Sequence, residues 1–282
     1  MTTTFEFLKR FSSDEVCLDY LIHTRFGETP TCPKCREETK FYKIKKEPAY
    51  ACGKCGHHVH PMAGTLFENS RTPLQKWFYA MHLFTTTRHG VSAKELQRQL
   101  GVTYKTAWRM GHEIRKHMAK VDGDPMLGGH VEADETYIGG KRPGKRGRGA
   151  AGKTVVFGMI ERGGDVITRV VDNVRRRTLE PHLVANVAPG STVSTDELTS
   201  YHKISDLGLT HGRVNHSADE WVRGIHHTNS IEGFWSIFKK SIRSTHIHVS
   251  RKYLHSYLGE FEFRFNRRGQ PASMLDQLLQ TF

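Results

Sequence analysis

Two cysteine pairs constrain this 282-residue chain more tightly than any other feature. Cys32-Pro-Lys-Cys35 and Cys52-Gly-Lys-Cys55 each place two residues between thiols, with sixteen residues between the pairs. Two intervening residues let a tight turn aim both sulfurs at one ion, and two such knuckles complete a tetrahedral Zn²⁺ site. Pro33, Gly53 and Gly56 stand where those turns need them, and strand-like runs at 40–45 and 49–52 lie between. A small zinc ribbon with Cys32, Cys35, Cys52 and Cys55 as structural ligands is expected. Four sulfurs saturate the ion, so His57, His58 and His60 read as surface or packing residues. Cys17 follows a Ser12/Glu15 capping box that begins a helix, and reads as a small buried hydrophobe.

Helical signals follow. Thr72-Pro73 opens a helix with proline at its first position, running through Trp77, Met81 and Leu83. Ser92 and Glu95 form a second capping box, with Leu96 and Leu100 on the apolar face. Gly101 makes a turn, and Thr103 caps a longer helix from Tyr104 to about Met118 that carries Lys105, Arg109, Arg115 and Lys116. Short helix, glycine turn and longer basic helix is a helix-turn-helix layout. Tyr104, Lys105, Thr106 and Arg109 are the candidate DNA contacts, while Trp108 and Ile114 read as core.

The turn-rich stretch 121–129 marks a boundary, and beyond it the periodicity changes from helix to strand. Strands are expected at 131–138, 154–160, 166–171 and 191–195, with a helix near 178–187. That order implies a mixed sheet with helices on its faces. The expected domains are 1–70 (N-terminal helix and ribbon), 71–122 (helix-turn-helix) and 123–282 (α/β domain). Between the first two strands, residues 139–153 contain six basic residues, six glycines and no acid. Such a segment packs no core, and Lys141, Arg142, Lys145, Arg146 and Arg148 are read as phosphate contacts.

Three acids stand out. Asp134 lies in a run that is apolar at alternate positions, where a charge is costly without a cation. Glu132 shares its face and is the nearest rival, whereas Glu135 points the other way. Asp196 ends the strand at 191–195, and Glu232 follows after thirty-five residues. In the helix opening near Thr228, Ile231, Trp235, Phe238 and Ile242 form one apolar stripe, and Asn229, Glu232, Ser236, Lys239 and Arg243 a polar one. Glu232 and Lys239 fall within about 20° of each other around that helix. One helical face thus offers a carboxylate and an ammonium, and three acids in this order suit divalent metal ions and phosphoryl transfer on DNA. His226 and His227 precede this helix. Spacing assigns nothing to His216 or Trp221.

The charge balance is 42 basic against 29 acidic residues, a net +13, which favours a polyanionic partner. No segment approaches the ~20 apolar residues that span a bilayer, and the first residues lack a secretory pattern. A reducing, cytoplasmic setting at the nucleoid is the expectation, with no membrane partner.

These motifs together resemble DDE-type insertion-sequence transposases of the subgroup with an amino-terminal zinc ribbon. The resemblance spans essentially the whole chain. It rests on the four cysteines, Asp-Glu-Thr-Tyr-Ile-Gly-Gly at 134–140, Thr195-Asp196, and His-Thr-Asn-Ser-Ile-Glu-Gly-Phe-Trp at 227–235. It implies a ribonuclease-H-like catalytic domain with Mg²⁺ or Mn²⁺ held by Asp134, Asp196 and a third member, Glu232 or Asn229. Lys239 is implied as the residue that fixes the DNA backbone. It further implies binding to double-stranded DNA at transposon ends and target, as a homodimer or larger assembly. The competing expectations are a non-catalytic regulator built on the same N-terminal modules, and a nuclease without strand transfer.

Overall fold

The computed structural model describes residues 3–139 and 152–282. Lys141, Arg142, Lys145, Arg146 and Arg148 therefore lie outside the described residues. The chain divides into two compact units, Met1–His117 with Gln270–Phe282, and Met118–Gly269.

The first unit begins with α1 (Thr4–Arg10) and α2 (Asp14–Phe26). Ser13 caps α2, accepting the Val16 N–H at 3.3 Å, so the cap sits one residue later than the Ser12 expected from spacing. Three short strands follow, β1 (Phe41–Lys43), β2 (Tyr50–Cys52) and β3 (His58–Val59), paired antiparallel in that order. Then come α3 (Leu74–Thr86), α4 (Ala93–Leu100) and α5 (Tyr104–Asp122), the last running on into the second unit. Ser92 caps α4 through the Glu95 N–H, Gly101 closes it in a left-handed conformation, and Thr103 accepts the Thr106 N–H at 3.2 Å. The two caps and the turn lie where side-chain chemistry asked for them. Phe7, Phe11, Phe67, Trp77 and Phe78 form an aromatic core in this unit.

The second unit is built on a five-stranded sheet: β4 (His130–Ile138), β5 (Thr154–Glu161), β6 (Val166–Val171), β7 (Thr192–Thr195) and β8 (Thr210–Arg213). Its order is β6-β5-β4-β7-β8. The first three strands are antiparallel neighbours, and β7 and β8 add in parallel to β4 and β7. This is the mixed sheet expected from the strand order, with the ribonuclease-H-like form that the family resemblance implied. β8 is a strand that periodicity did not reveal, because Thr-His-Gly-Arg has no apolar alternation.

One face packs α6 (Arg176–Asn186) through Val131, Ala133, Phe157, Leu179, Leu183 and Tyr201. The other packs α7 (Asn229–Ser241) and α8 (Arg251–Asn266) through Val156, Ile231, Trp235, Phe238, Leu254 and Leu258. The predicted stripe of α7 is buried throughout, from Ile231 at 0% to Ile242 at 7% exposure. Gly158, opposite Asp134 in the ladder, sets the height of α7. A Cβ there would lie 2.4 Å from the Trp235 ring, so glycine lets the helix lie directly on the sheet. The chain closes with α9 (Met274–Gln280), which belongs to the first unit. No helix among the described residues is long and apolar enough to cross a membrane.

Candidate active site

The four cysteines converge as the knuckle spacing requires: one Sγ from each of Cys32, Cys35, Cys52 and Cys55 lies within 4.8 Å of the others. Each knuckle closes the same way, with the fourth residue along donating its N–H to the first cysteine's carbonyl: Arg36 to Cys32 and Gly56 to Cys52. Both closing residues are left-handed, with φ of 58° and 69°. Burial pushes the Cys52 thiol up, but the N–H groups of Cys55 and Lys54 and the neighbouring thiols bring it to about 6. A closed set of four soft donors fits zinc and leaves no open position for a substrate. Cys17 is buried apart from them, and burial pushes its thiol up to about 12, consistent with an inert packing role.

The second constellation lies along β4. Asp134, Glu135 and Asp196 each offer a carboxylate oxygen within 4.8 Å of the other two. The ladder explains how. β7 pairs with β4 only from His130 to Glu132, and Asp196 follows the last residue of β7. Past Glu132 no described strand pairs with β4 on the β7 side, and acids from both faces reach the same opening. Glu135 leaves toward the α6 face, where Tyr201 donates its hydroxyl to it at 2.9 Å, yet its carboxylate still meets Asp134. Alternation placed Glu135 on the far face, and spacing carried no sign of this meeting. Asp196 is braced by the Leu198 N–H at 2.9 Å.

Burial pushes the Asp134 carboxyl well above the usual carboxylate range, and the charges of Glu135, Asp196 and Glu232 push it further. Glu232 is therefore near enough for Asp134 to feel it, although it stands outside the tight group of three. It lies on the first turn of α7, accepts from the Thr228 hydroxyl at 2.8 Å, and is 3.6 Å from His216 Nε2. Asn229 opens the same helix, exposed, with its N–H donated to His227 Nδ1 at 3.4 Å. Lys239 is half-buried two turns on. Burial lowers its pKa, Asp134 raises it, and Arg243 and Lys153 lower it again. Lys239 thus feels Asp134 on one side and the basic Arg243 and Lys153 on the other.

Glu132, the nearest rival to Asp134, does something else. It is fully buried and saturated. Its Oε2 accepts the Ser230 and Ile231 N–H groups at 2.7 and 3.1 Å, capping α7 from the strand beneath it. Its Oε1 accepts from Arg162 Nε at 2.7 Å and the Ser230 hydroxyl at 3.0 Å. Arg162 also donates to the Ile225 and His227 carbonyls at 2.6 and 3.1 Å, binding the loop before α7 to the same knot. A carboxylate so occupied is a poor candidate for a metal.

In the first unit, Tyr104 and Lys105 open α5 exposed, Thr106 is half-buried and Arg109 is exposed on the next turn. Lys94 of α4 sits over the Tyr104 ring at 4.9 Å. Arg115 is instead buried, donating to the Val91 carbonyl at 2.7 Å, so it ties α5 to the turn before α4. Trp108 is half-buried and stacks on His112 at 3.9 Å, while Ile114 is core.

Comparison with known proteins agrees with this arrangement. The ISXO2-like transposase domain matches residues 126–266, and the transposase zinc-ribbon domain matches residues 12–58. The chain is 29% identical to an uncharacterized protein in the transposable element ISH50 of Halobacterium salinarum, over 97% of this chain and 98% of the relative. It is 32% identical to an uncharacterized transposase-like protein of Haemophilus influenzae, over 41% of this chain and 94% of that protein. Among solved structures, a pre-cleavage Mos1 transpososome aligns over 71% of this chain and 76% of that one, at 12% identity and a TM-score of 0.31. The fold assignment rests on strand order and register rather than on that superposition. With its acids gathered in a transposase-domain match that spans half of the chain and a matched ribbon ahead of them, the chain belongs to the ISXO2-like transposase family.

Proposed function

We propose that this protein binds double-stranded DNA at the ends of an insertion sequence, then cleaves and joins strands in a metal-dependent reaction. One observation carries the reading: Asp134, Glu135 and Asp196 hold oxygens within 4.8 Å of one another, and burial with the neighbouring acids opposes the charge of Asp134. Such a cluster persists as an anion only beside cations. Clustered carboxylate oxygens fit Mg²⁺ or Mn²⁺. Asp134 and Asp196 would be the principal ligands and Glu232 the third acid. Bound ions would activate an attacking oxygen and neutralise a departing one during in-line phosphoryl displacement.

The chain's own residues do the positioning. Glu232 is favoured over Asn229 because its charge reaches Asp134, and a carboxylate neutralises a metal ion where an amide does not. Lys239, on the same face of α7, would hold a phosphate of the reacting strand against the acids. Glu132 and Arg162 fix the start of α7, and with it the place of Glu232. Zn²⁺ on Cys32, Cys35, Cys52 and Cys55 would be structural.

Residues 1–70 and 71–122 would recognise the terminal repeats, with Tyr104, Lys105, Thr106 and Arg109 toward the major groove. The basic run from Lys141 to Arg148 would add phosphate contacts, and residues 123–282 would carry the chemistry. Two ends must be joined, so the working form would be a dimer or larger, acting at the nucleoid in the cytoplasm. The halobacterial relative's place in a transposable element supports the same reading.

The test is strand transfer with Mg²⁺ on duplexes carrying the element's own ends. Wild type should yield joined DNA, and Asp196→Ala and Glu232→Gln should not. Loss with Asn229→Ala but not with Glu232→Gln would reassign the third member. A non-catalytic regulator would bind DNA unchanged through Asp134→Ala and Asp196→Ala and never cut it. Cutting without joining would mark a nuclease.

A further inference from the structure

The loop between β8 and α7 exposes three large apolar side chains at one tip: Trp221 at 54%, Val222 at 53% and Ile225 at 62%. Nothing about the loop is slack. At its start the His216 N–H and the Ser217 hydroxyl donate to Glu197, the residue after Asp196, at 3.0 and 2.7 Å. In its middle Glu220 accepts the Asn215 N–H at 3.2 Å and pairs with Arg223. The tip is closed by a backbone pair between Arg223 and His226, and Arg162 holds the Ile225 and His227 carbonyls. A loop anchored this firmly with its apolar residues turned outward gains no core from them, which points to a ligand surface.

The position of Trp221 selects the ligand. Its ring lies 4.6 Å from that of His216, tilted by 56°. His216 Nε2 in turn lies 3.3 Å from the Thr228 hydroxyl and 3.6 Å from a Glu232 oxygen. The indole thus stands one imidazole away from the acid proposed to complete the metal site, on a chain of net charge +13. On the proposed reaction, whatever covers it would lie beside the phosphate under attack. A planar base meets an exposed indole well whatever its sequence, because every base has a π-face. A base paired inside a duplex does not expose that face.

We propose that Trp221 is a stacking platform for an unpaired nucleobase next to the reacting phosphate, with Val222 and Ile225 flanking the base. This rests on the DNA-transposition reading and names the part of the substrate that the loop takes: a frayed, flipped or terminal nucleotide.

Trp221 reports on itself, since Trp77 and Trp235 are buried and Trp108 is half-buried. The zinc-loaded full chain, without added Mg²⁺, is titrated with a short oligothymidylate and with an abasic backbone of equal length. Oligothymidylate should quench the solvent-exposed emission, and the abasic strand should not. Trp221→Ala should weaken oligothymidylate binding about tenfold, the scale of one base stacked on an aromatic ring. It should leave abasic binding unchanged, and Trp221→Phe should recover most of the loss. Equal binding of oligothymidylate by wild type and Trp221→Ala overturns the proposal, as does equal quenching by the abasic strand. So does self-association in sedimentation that Trp221→Ala abolishes while DNA affinity stays fixed, which would make the tip a contact between copies. Quenching without strand transfer leaves the platform standing and sinks the transposition reading. Strand transfer without quenching does the reverse.

Discussion

Glu132 on β4 accepts the backbone N–H of Ser230 on α7 at 2.7 Å, across 98 residues of sequence. Two residues along the same strand, Asp134 stands among carboxylates. One acid locks the helix and the other is the candidate cation ligand of the proposed reaction. The two are distinguished by what surrounds them, not by residue type.

Removing the lock should be costly. Glu132→Ala strips the cap from Ser230 and Ile231 and leaves Arg162 without its carboxylate, which should destabilise the second unit by about 3 kcal/mol. Hydrogen exchange at the Ser230 and Ile231 amides should accelerate along with the drop in Tm. Unchanged exchange at those amides would show that the cap contributes nothing. Glu132→Gln, which keeps an acceptor, should fall between.

Asp134→Asn should do the opposite for stability while ending catalysis. The folded Asp134 carboxyl is raised by burial and by Glu135, Asp196 and Glu232. Stability linked to its proton is fully present below the unfolded pKa and is lost as pH rises through the folded one. Asparagine carries no such penalty, so Tm at neutral pH without divalent ions should rise. A Tm below wild type under those conditions would contradict the account of the cluster as self-repelling.

Glu262 offers a second pH test, remote from the chemistry. Burial pushes its carboxyl up to about 7 from an ordinary 4.5, against hydrogen bonds from the Thr168 N–H and hydroxyl that pull it down. A raised acid weakens the fold as pH climbs from the unfolded value through about 7, and the loss is complete above that. Glu262→Gln should therefore gain about 3 kcal/mol on wild type at pH about 8, and little at pH about 4. Denaturant melts at the two pH values measure the difference.

Zinc should matter to one unit only. Stripping the ion from the four thiolates forfeits about 10–16 kcal/mol of apparent binding energy in sites of this kind. Exchange protection at 32–59 should collapse while the 118–269 unit keeps its own. One zinc per chain is the expected stoichiometry, falling to none in Cys52→Ser.

Much of this was legible in sequence because its causes are local. Knuckle spacing put four sulfurs together, since two residues between thiols leave the turn little choice. Capping residues at Ser92 and Thr103 and the period of β4, β5, β6 and α7 marked elements to within a few residues. Asp134 announced itself as a charge inside an apolar strand. Other features had no local cause to read. Thr210–Arg213 became a strand only because β7 offered it an edge. Arg115 looked like one more basic residue on a helix, and packing buried it against Phe84 and Val91.

Glu132 and Asp134 share a face and a chemistry, so period-2 reasoning ranked them side by side. Only the arrival of α7 and Arg162 made one a cap. Glu135 met Asp134 because β7 stops short, and Trp221 gained its place beside Glu232 through His216. Sequence by itself determined the thiolate knuckles and, β8 aside, the main helices and strands of the sheet, since those depend on neighbours a few residues away. Tertiary structure alone decided which acids meet, which are consumed as caps and which aromatic faces solvent. Those outcomes depend on where chain ends and strand edges fall in space, which no local period encodes.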